Sequence, residues 1–150
     1  MSASGQPTRR EPEDALARER INTDLDTTLF VEAAAGTGKT TALVRRIVAL
    51  IVAGRARLDT LVALTFTDKA AGEMKLRLRT ELEQRLAGEA VADDERERLH
   101  TALSQLELAR INTIHAFCGD LLRERPVEAS VDPLFEVAAG DQERLITQAF

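Results

Sequence analysis

The chain has 150 residues, which is enough for one domain with a hydrophobic core and too few for two. A hydrophobic fraction of 44% with 30% charged residues excludes wholesale disorder, and a net charge of -5 argues against a surface devoted to binding nucleic acid. The longest apolar run, at 47–53, is too short for a membrane span, the N-terminus lacks an apolar leader, and the single cysteine cannot form an internal disulfide. We therefore expect a cytoplasmic protein without membrane contact.

The first predicted elements follow residues 1–12, which are rich in Ser, Gly, Pro and charge and are expected to form a mobile tail. An apolar run at 28–33 predicts a buried strand, and 39–53 predicts a helix that closes at a glycine. A second predicted strand at 61–66 leads into a helix with one apolar face, which ends at Gly88.

The second half of the chain continues this alternation. A polar turn at 89–94 precedes another helix, 110–113 predicts a short third strand, and the helix after it stops at Pro126. This order predicts an α/β fold with a parallel sheet covered by helices. Because so few strands occur and a new amphipathic helix begins at 145–150, we expect 13–150 to be the N-terminal part of a longer, incomplete domain.

Small residues between the first predicted strand and helix have the form of a phosphate-binding loop. The loop reads Ala33-Ala34-Ala35-Gly36-Thr37-Gly38-Lys39-Thr40. Gly36 and Gly38 allow backbone conformations that bring N–H groups close to phosphate oxygens. The helix start adds further N–H groups and the positive end of its dipole. The loop therefore predicts a P-loop NTPase that binds a nucleoside triphosphate with Mg²⁺.

Three side chains have expected roles in this loop. Lys39 supplies charge for the β- and γ-phosphates, Thr40 offers a hydroxyl to Mg²⁺, and Thr41 is a further contact on the α-phosphate side. Ala33 stands where the general pattern has its first glycine. The loop alone is compatible with kinases, transport ATPases, GTPases and helicases, and with a plain connecting turn.

Two later segments separate these families. They are Leu64–Met74, with the letters LTFTDKAAGEM, and Ile111–Cys118, with the letters INTIHAFC. Together with the loop, their order and spacing resemble the conserved blocks of UvrD/RecB-like superfamily 1 DNA helicases over residues 14–137. The style is similar to RecB or AddA exonuclease-associated helicase subunits.

This resemblance implies an ATP-dependent DNA helicase or translocase, moving 3′ to 5′, that acts in DNA repair and recombination. Its implied partners are single-stranded and duplex-end DNA, the rest of a helicase chain or a nuclease–helicase complex. A motor that steps along DNA holds the backbone by charge and the bases by stacking. The implied DNA-binding residues are Thr65, Phe66, Thr67 and Lys69 in the first block, and Thr113, His115 and Phe117 in the second.

Simpler explanations stay open for several of these residues. Phe66 is also compatible with the last core position of its strand, Thr67 and Thr113 with helix caps, and His115 with a structural histidine. Where the family often has an adenine-reading Gln, counting back without gaps gives Arg18, which can stack on adenine or bind its edge differently.

The carboxylate pair that ATP hydrolysis needs has one candidate, Asp94-Glu95, which lies in a polar segment. We interpret it as the capped start of a solvated helix, so we expect this chain alone to be inactive as an ATPase. The alternatives are a non-catalytic nucleotide-binding module and a small P-loop kinase or other ATPase. The last of these leaves the two later blocks unexplained.

Overall fold

A computed structural model describes residues 15–88, 90–132 and 134–135. The predicted tail at 1–12 and the predicted helix start at 145–150 lie outside these residues. Two short strands alternate with helices, and a 3-10 turn precedes each strand, at Leu58–Thr60 and Leu106–Leu108. The elements are α1 (Ala15–Thr23), α2 (Lys39–Val52), β1 (Val62–Thr65), α3 (Asp68–Leu86), α4 (Asp93–Ser104), β2 (Arg110–Thr113), α5 (Ile114–Glu124) and α6 (Pro126–Ala129).

The two strands form a parallel pair, in the register Val62↔Arg110 through Thr65↔Thr113. Since both strands end at the same level, α3 and α5 begin side by side at one edge of the sheet. We call this the carboxyl edge, comprising residues 65–70 and 113–117. The predicted parallel α/β arrangement is confirmed for this part of the chain.

The core lies between one face of this sheet and the helices α2, α3 and α4. The apolar stripe predicted for α3 is confirmed, because Met74, Leu78 and Leu82 are buried. Buried partners from the other elements are Val44, Ile47, Ile51, Leu58, Ala63, Leu99, Ala102, Leu106 and Ile111. These contacts hold α3 against β2 and α2. Among the described residues, no helix is long and apolar enough to cross a membrane.

The strand predicted at 28–33 is wrong. This segment has no strand pairing, and Phe30 is 92% exposed rather than buried. Side chains of α2 hold the backbone at both ends instead: Arg46 donates to the Thr27 carbonyl at 3.0 Å, and Lys39 donates to the Ala33 carbonyl. Because a strand is defined by a neighbour that shares its hydrogen bonds, an apolar run without one stays extended coil.

Candidate functional site

The backbone of the predicted phosphate loop has the geometry that its glycines require. Gly36 has φ +77° and Gly38 has φ +89°, both in the left-handed region that side chains disfavour. Gly38 is the N-cap of α2, whose first turn has no acidic residue, and no described side chain caps it. The unpaired N–H groups of that turn, with the helix dipole, therefore favour an anion at the loop.

The side chain of Lys39 contacts the first residues of the loop. Its Nζ donates to the carbonyl oxygens of Ala33, at 2.5 Å, and Ala34, at 2.8 Å. The Thr37 hydroxyl also donates to the Ala34 carbonyl, at 2.8 Å. Lys39 is exposed, so its charge is accessible from solvent at the point where the loop turns. A positive charge beside uncapped N–H groups is the donor set that a polyphosphate fits.

The next two threonines lie in the first turn of α2, and both are partly buried. Thr40 is in the position that the loop pattern assigns to a magnesium ligand. The hydroxyl of Thr41 accepts a hydrogen bond from Nη1 of Arg77, on α3, at 3.3 Å. The sequence did not indicate this contact, because it depends on how two helices pack.

The contact between Thr41 and Arg77 also helps to show in which direction α3 runs relative to α2. One helical turn later, Arg45 pairs with Glu81 at 3.5 Å, with the same separation of 36 residues. The two helices therefore run in the same direction. The loop before α2 and the end of β1 before α3 consequently lie at the same end of this helix pair.

Arg18, which the ungapped count from the loop proposes as an adenine contact, lies against the loop. Its Nη2 donates to the Thr37 carbonyl at 3.0 Å. A small cleft of about 100 Å³ separates α1 from the loop and is lined by Ala17, Arg18, Gly38 and Lys39 among others. A larger cavity of about 570 Å³ adjoins the same helix and also contacts Lys39.

At the carboxyl edge, the two strand-end threonines are buried. Thr65 is 8% exposed, and its hydroxyl donates to the Thr67 carbonyl at 3.0 Å, with the Asn112 carbonyl 3.4 Å away. Thr113 is 9% exposed and accepts the Ala116 N–H at 3.2 Å. Both hydroxyls are therefore engaged with backbone atoms of the edge, and little of either side chain is exposed.

Three other candidate residues of the first block, Phe66, Thr67 and Lys69, face solvent. Phe66 is 88% exposed, so its interpretation as a core residue is wrong. Thr67 is confirmed as a helix cap, because its hydroxyl accepts the Ala70 N–H at 3.1 Å. Lys69 is exposed in the first turn of α3. An aromatic ring and a cation therefore project from the same edge.

In the second block, His115 is exposed in the first turn of α5, so nothing indicates a buried structural histidine. Phe117 is partly buried beside a cleft of about 380 Å³ that also contacts Arg110, Asn112 and Arg123. The two blocks are far apart in sequence, and the register Thr65↔Thr113 brings them to one edge.

The carboxylate pair Asp94-Glu95 lies in the first turn of α4, which confirms the predicted helix start, but the N-cap is Ala92 without a side-chain cap and Glu95 is buried rather than solvated. Asp94 pairs with Arg98 at 3.0 Å, and the hydrogen bond from Arg98 is the main cause that lowers the pKa of the Asp94 carboxyl. Glu95 is 9% exposed and pairs with Arg85 at 2.5 Å, which joins α4 to the end of α3. Both carboxylates are therefore engaged in ion pairs between and within helices.

Residues 14–150 match the family model described as the UvrD/REP helicase N-terminal domain. The chain belongs to this family. Membership in the UvrD/REP family implies the P-loop NTPase fold, which agrees with the parallel sheet and with the loop at the start of α2.

The similar curated proteins are named as subunits of an ATP-dependent helicase/nuclease, which confirms the resemblance to AddA-style proteins. The protein from Syntrophomonas wolfei is 39% identical over 136 residues, covering 91% of this chain and 10% of the relative. Those from Ligilactobacillus salivarius and Alkaliphilus oremlandii are 36% and 42% identical, covering 88% and 73% of the chain and 10% and 9% of the relatives. The chain thus spans about a tenth of the length of these relatives.

Proposed function

We propose that this chain is the ATP-binding N-terminal part of a DNA helicase or translocase that moves 3′ to 5′ and acts in DNA repair and recombination. We base this proposal on the phosphate loop and the end of β1, which precede helices that run in the same direction, and on the register that sets the end of β2 beside that of β1. The names of the relatives support partnership with a nuclease, in the same chain or a complex. We also propose a cytoplasmic location without membrane contact.

The nucleotide half of this function rests on the loop. The N–H groups at the start of α2 and the ammonium of Lys39 bind the phosphates, with Thr41 on the α-phosphate side. No group of three or more His, Cys, Asp or Glu that could hold a metal ion occurs among the described residues. In this proposal Mg²⁺ enters with the nucleotide, held by the Thr40 hydroxyl and by phosphate oxygens, and neutralises phosphate charge.

The DNA half rests on the carboxyl edge. Phe66 stacks on a base of a single strand, and Lys69 binds a phosphate. Thr67, His115 and Phe117 contribute from the two helix starts, while buried Thr65 and Thr113 hold the two strand ends in shape. Stacking and phosphate contacts carry no sequence preference, as a motor that steps along DNA requires.

A second candidate function is a non-catalytic nucleotide-binding module. The ion pairs of Asp94 and Glu95 favour it for this chain alone, since neither carboxylate is left to hold Mg²⁺ or orient water. Under either function, this chain binds Mg-ATP without turning it over. A small kinase gives no account of the carboxyl edge.

Nucleotide binding is tested by thermal unfolding of the purified chain with and without Mg-ATP. A ligand at a hundred times its dissociation constant stabilises the fold by about 2.7 kcal/mol, which raises the melting temperature by several degrees. We expect Lys39→Ala to abolish the rise and Arg57→Ala, an exposed charge paired with Asp59 before β1, to keep it. An equal rise in Lys39→Ala would contradict the assignment.

A further inference from the structure

The position of Arg18 relative to the loop suggests a role that differs from base reading. Arg18 lies on α1, and Arg46 of α2 holds the chain from the end of that helix by donating to three carbonyls. These are the carbonyls of Ile21 at 2.7 Å, Asp24 at 2.8 Å and Thr27 at 3.0 Å. Because α1 is fastened to α2 at this end, Arg18 approaches the loop from a supported helix.

The guanidinium of Arg18 lies along the peptide that joins Thr37 to Gly38. Its Nη2 donates to the Thr37 carbonyl at 3.0 Å, and its Nη1 is 3.7 Å from where a Cβ on Gly38 would be. Two of its nitrogens are therefore close to one peptide unit. This unit immediately precedes Lys39 and the start of α2.

The orientation of that peptide decides where a phosphate-binding donor points. In a trans peptide, the carbonyl and the N–H point in opposite directions. Holding the Thr37 carbonyl toward α1 therefore turns the N–H of Gly38 away from α1. Gly38 has φ +89°, in a region that glycine enters and leaves easily, so without a partner this peptide has little to hold it.

We propose that Arg18 is a positioning residue for the phosphate loop, so that it supports binding of the triphosphate and not selection of the base. The inference rests on the proposed nucleotide-binding function. It assigns to Arg18 an effect shared by every ligand that carries a triphosphate, because the peptide it holds and the charge it adds lie beside the loop. A residue that reads adenine would affect ATP alone.

The test measures the dissociation constants of Mg-ATP, Mg-GTP and Mg-tripolyphosphate by titration calorimetry on the purified chain. We expect Arg18→Ala to weaken all three about tenfold, the size of one charge-assisted hydrogen bond, with the ATP-to-GTP ratio unchanged. Arg18→Lys, which keeps the charge and a donor, recovers part of the loss. Arg20→Ala, also on α1 and paired with Asp24, is the matched control and leaves all three constants unchanged.

The possible outcomes distinguish a failure of this inference from a failure of the proposed nucleotide-binding function. A loss confined to Mg-ATP, with tripolyphosphate binding intact, would assign Arg18 to the base and overturn the inference. Unchanged affinity for all three ligands would overturn it as well. Failure of the unaltered chain to bind any of them would reject the proposed function and the inference together. Circular dichroism melts of each variant identify a loss of folding, and the ratio between ligands does not depend on stability.

Discussion

The phosphate loop and the carboxyl edge use the same few residue types in different ways. In the loop, the groups that meet a ligand belong mainly to the backbone, and Gly36 and Gly38 provide the conformation that aims them. At the carboxyl edge, the expected ligand contacts are side chains, and two buried threonines provide the support. The sequence therefore predicts a site built from backbone groups more directly than a site in which some side chains support the structure and others contact the ligand.

The two strand-end threonines show how supporting side chains and exposed side chains are arranged at the carboxyl edge. Thr65 and Thr113 are directly opposite in the parallel register, each at the last position of its strand. Each is buried with a hydroxyl that binds backbone, whereas Phe66, the next residue after Thr65, is almost fully exposed. Threonine is usually exposed and phenylalanine usually buried, so the burial of these residues is the reverse of the usual preference. The proposed stacking of a base on Phe66 is consistent with this exposure.

The largest expected effect concerns that ring. Phe66→Ala should weaken binding of single-stranded DNA by about 1–3 kcal/mol, the worth of one base stacked on an aromatic side chain. Its exposure means that the free energy of unfolding should change by less than about 0.5 kcal/mol. Fluorescence anisotropy with an oligothymidylate measures the first quantity and urea unfolding the second.

Phe30 provides the matched control for this variant, because it is 92% exposed and lies outside the edge. Phe30→Ala should leave DNA affinity unchanged. An equal loss in both variants would attribute the effect to general surface hydrophobicity and would remove the distinction between the edge and the rest of the surface.

A second prediction compares a glycine of the phosphate loop with a glycine of α3. Gly38→Ala should lower the free energy of unfolding by about 1–2 kcal/mol, since alanine resists φ +89°. Gly72, exposed inside α3 with no atom within 4 Å of an added Cβ, should behave oppositely. Gly72→Ala should raise stability by about 0.5–1 kcal/mol. Urea unfolding checks both, and a stabilised Gly38→Ala would show that the loop does not need its left-handed glycine.

The smallest expected effect is electrostatic. Lys69→Ala should reduce the slope of log binding constant against log salt concentration by slightly less than one, because one phosphate contact is lost. Arg57→Ala removes the same charge at the opposite end of β1 and should leave the slope as it is. Identical slopes for all three proteins would exclude Lys69 from phosphate contact.

Much of the fold was predictable because it follows from periodic patterns. The small residues before α2 and the glycine after it predicted the bounds of α2 to within one residue, and the apolar spacing of α3 predicted its buried face and its end to within two residues. The strand predicted from the apolar run at 28–33 is wrong, because burial depends on a neighbouring strand that the run itself does not specify. The sequence did not predict the guanidinium contacts of Arg18, Arg46 and Arg77 either. They join residues that are 19 to 36 positions apart, so they depend on tertiary packing.

We propose that one small domain holds two separate ligand sites, the loop for nucleotide and the carboxyl edge for DNA. Hydrogen–deuterium exchange of the chain, with Mg-ATP and with oligothymidylate added separately, tests it most directly. We predict that Mg-ATP slows exchange in 33–42 and leaves 66–70 and 114–117 unchanged, and that the oligonucleotide does the reverse. Protection of one common segment by both ligands, or no protection of 66–70 by the oligonucleotide, would contradict the claim.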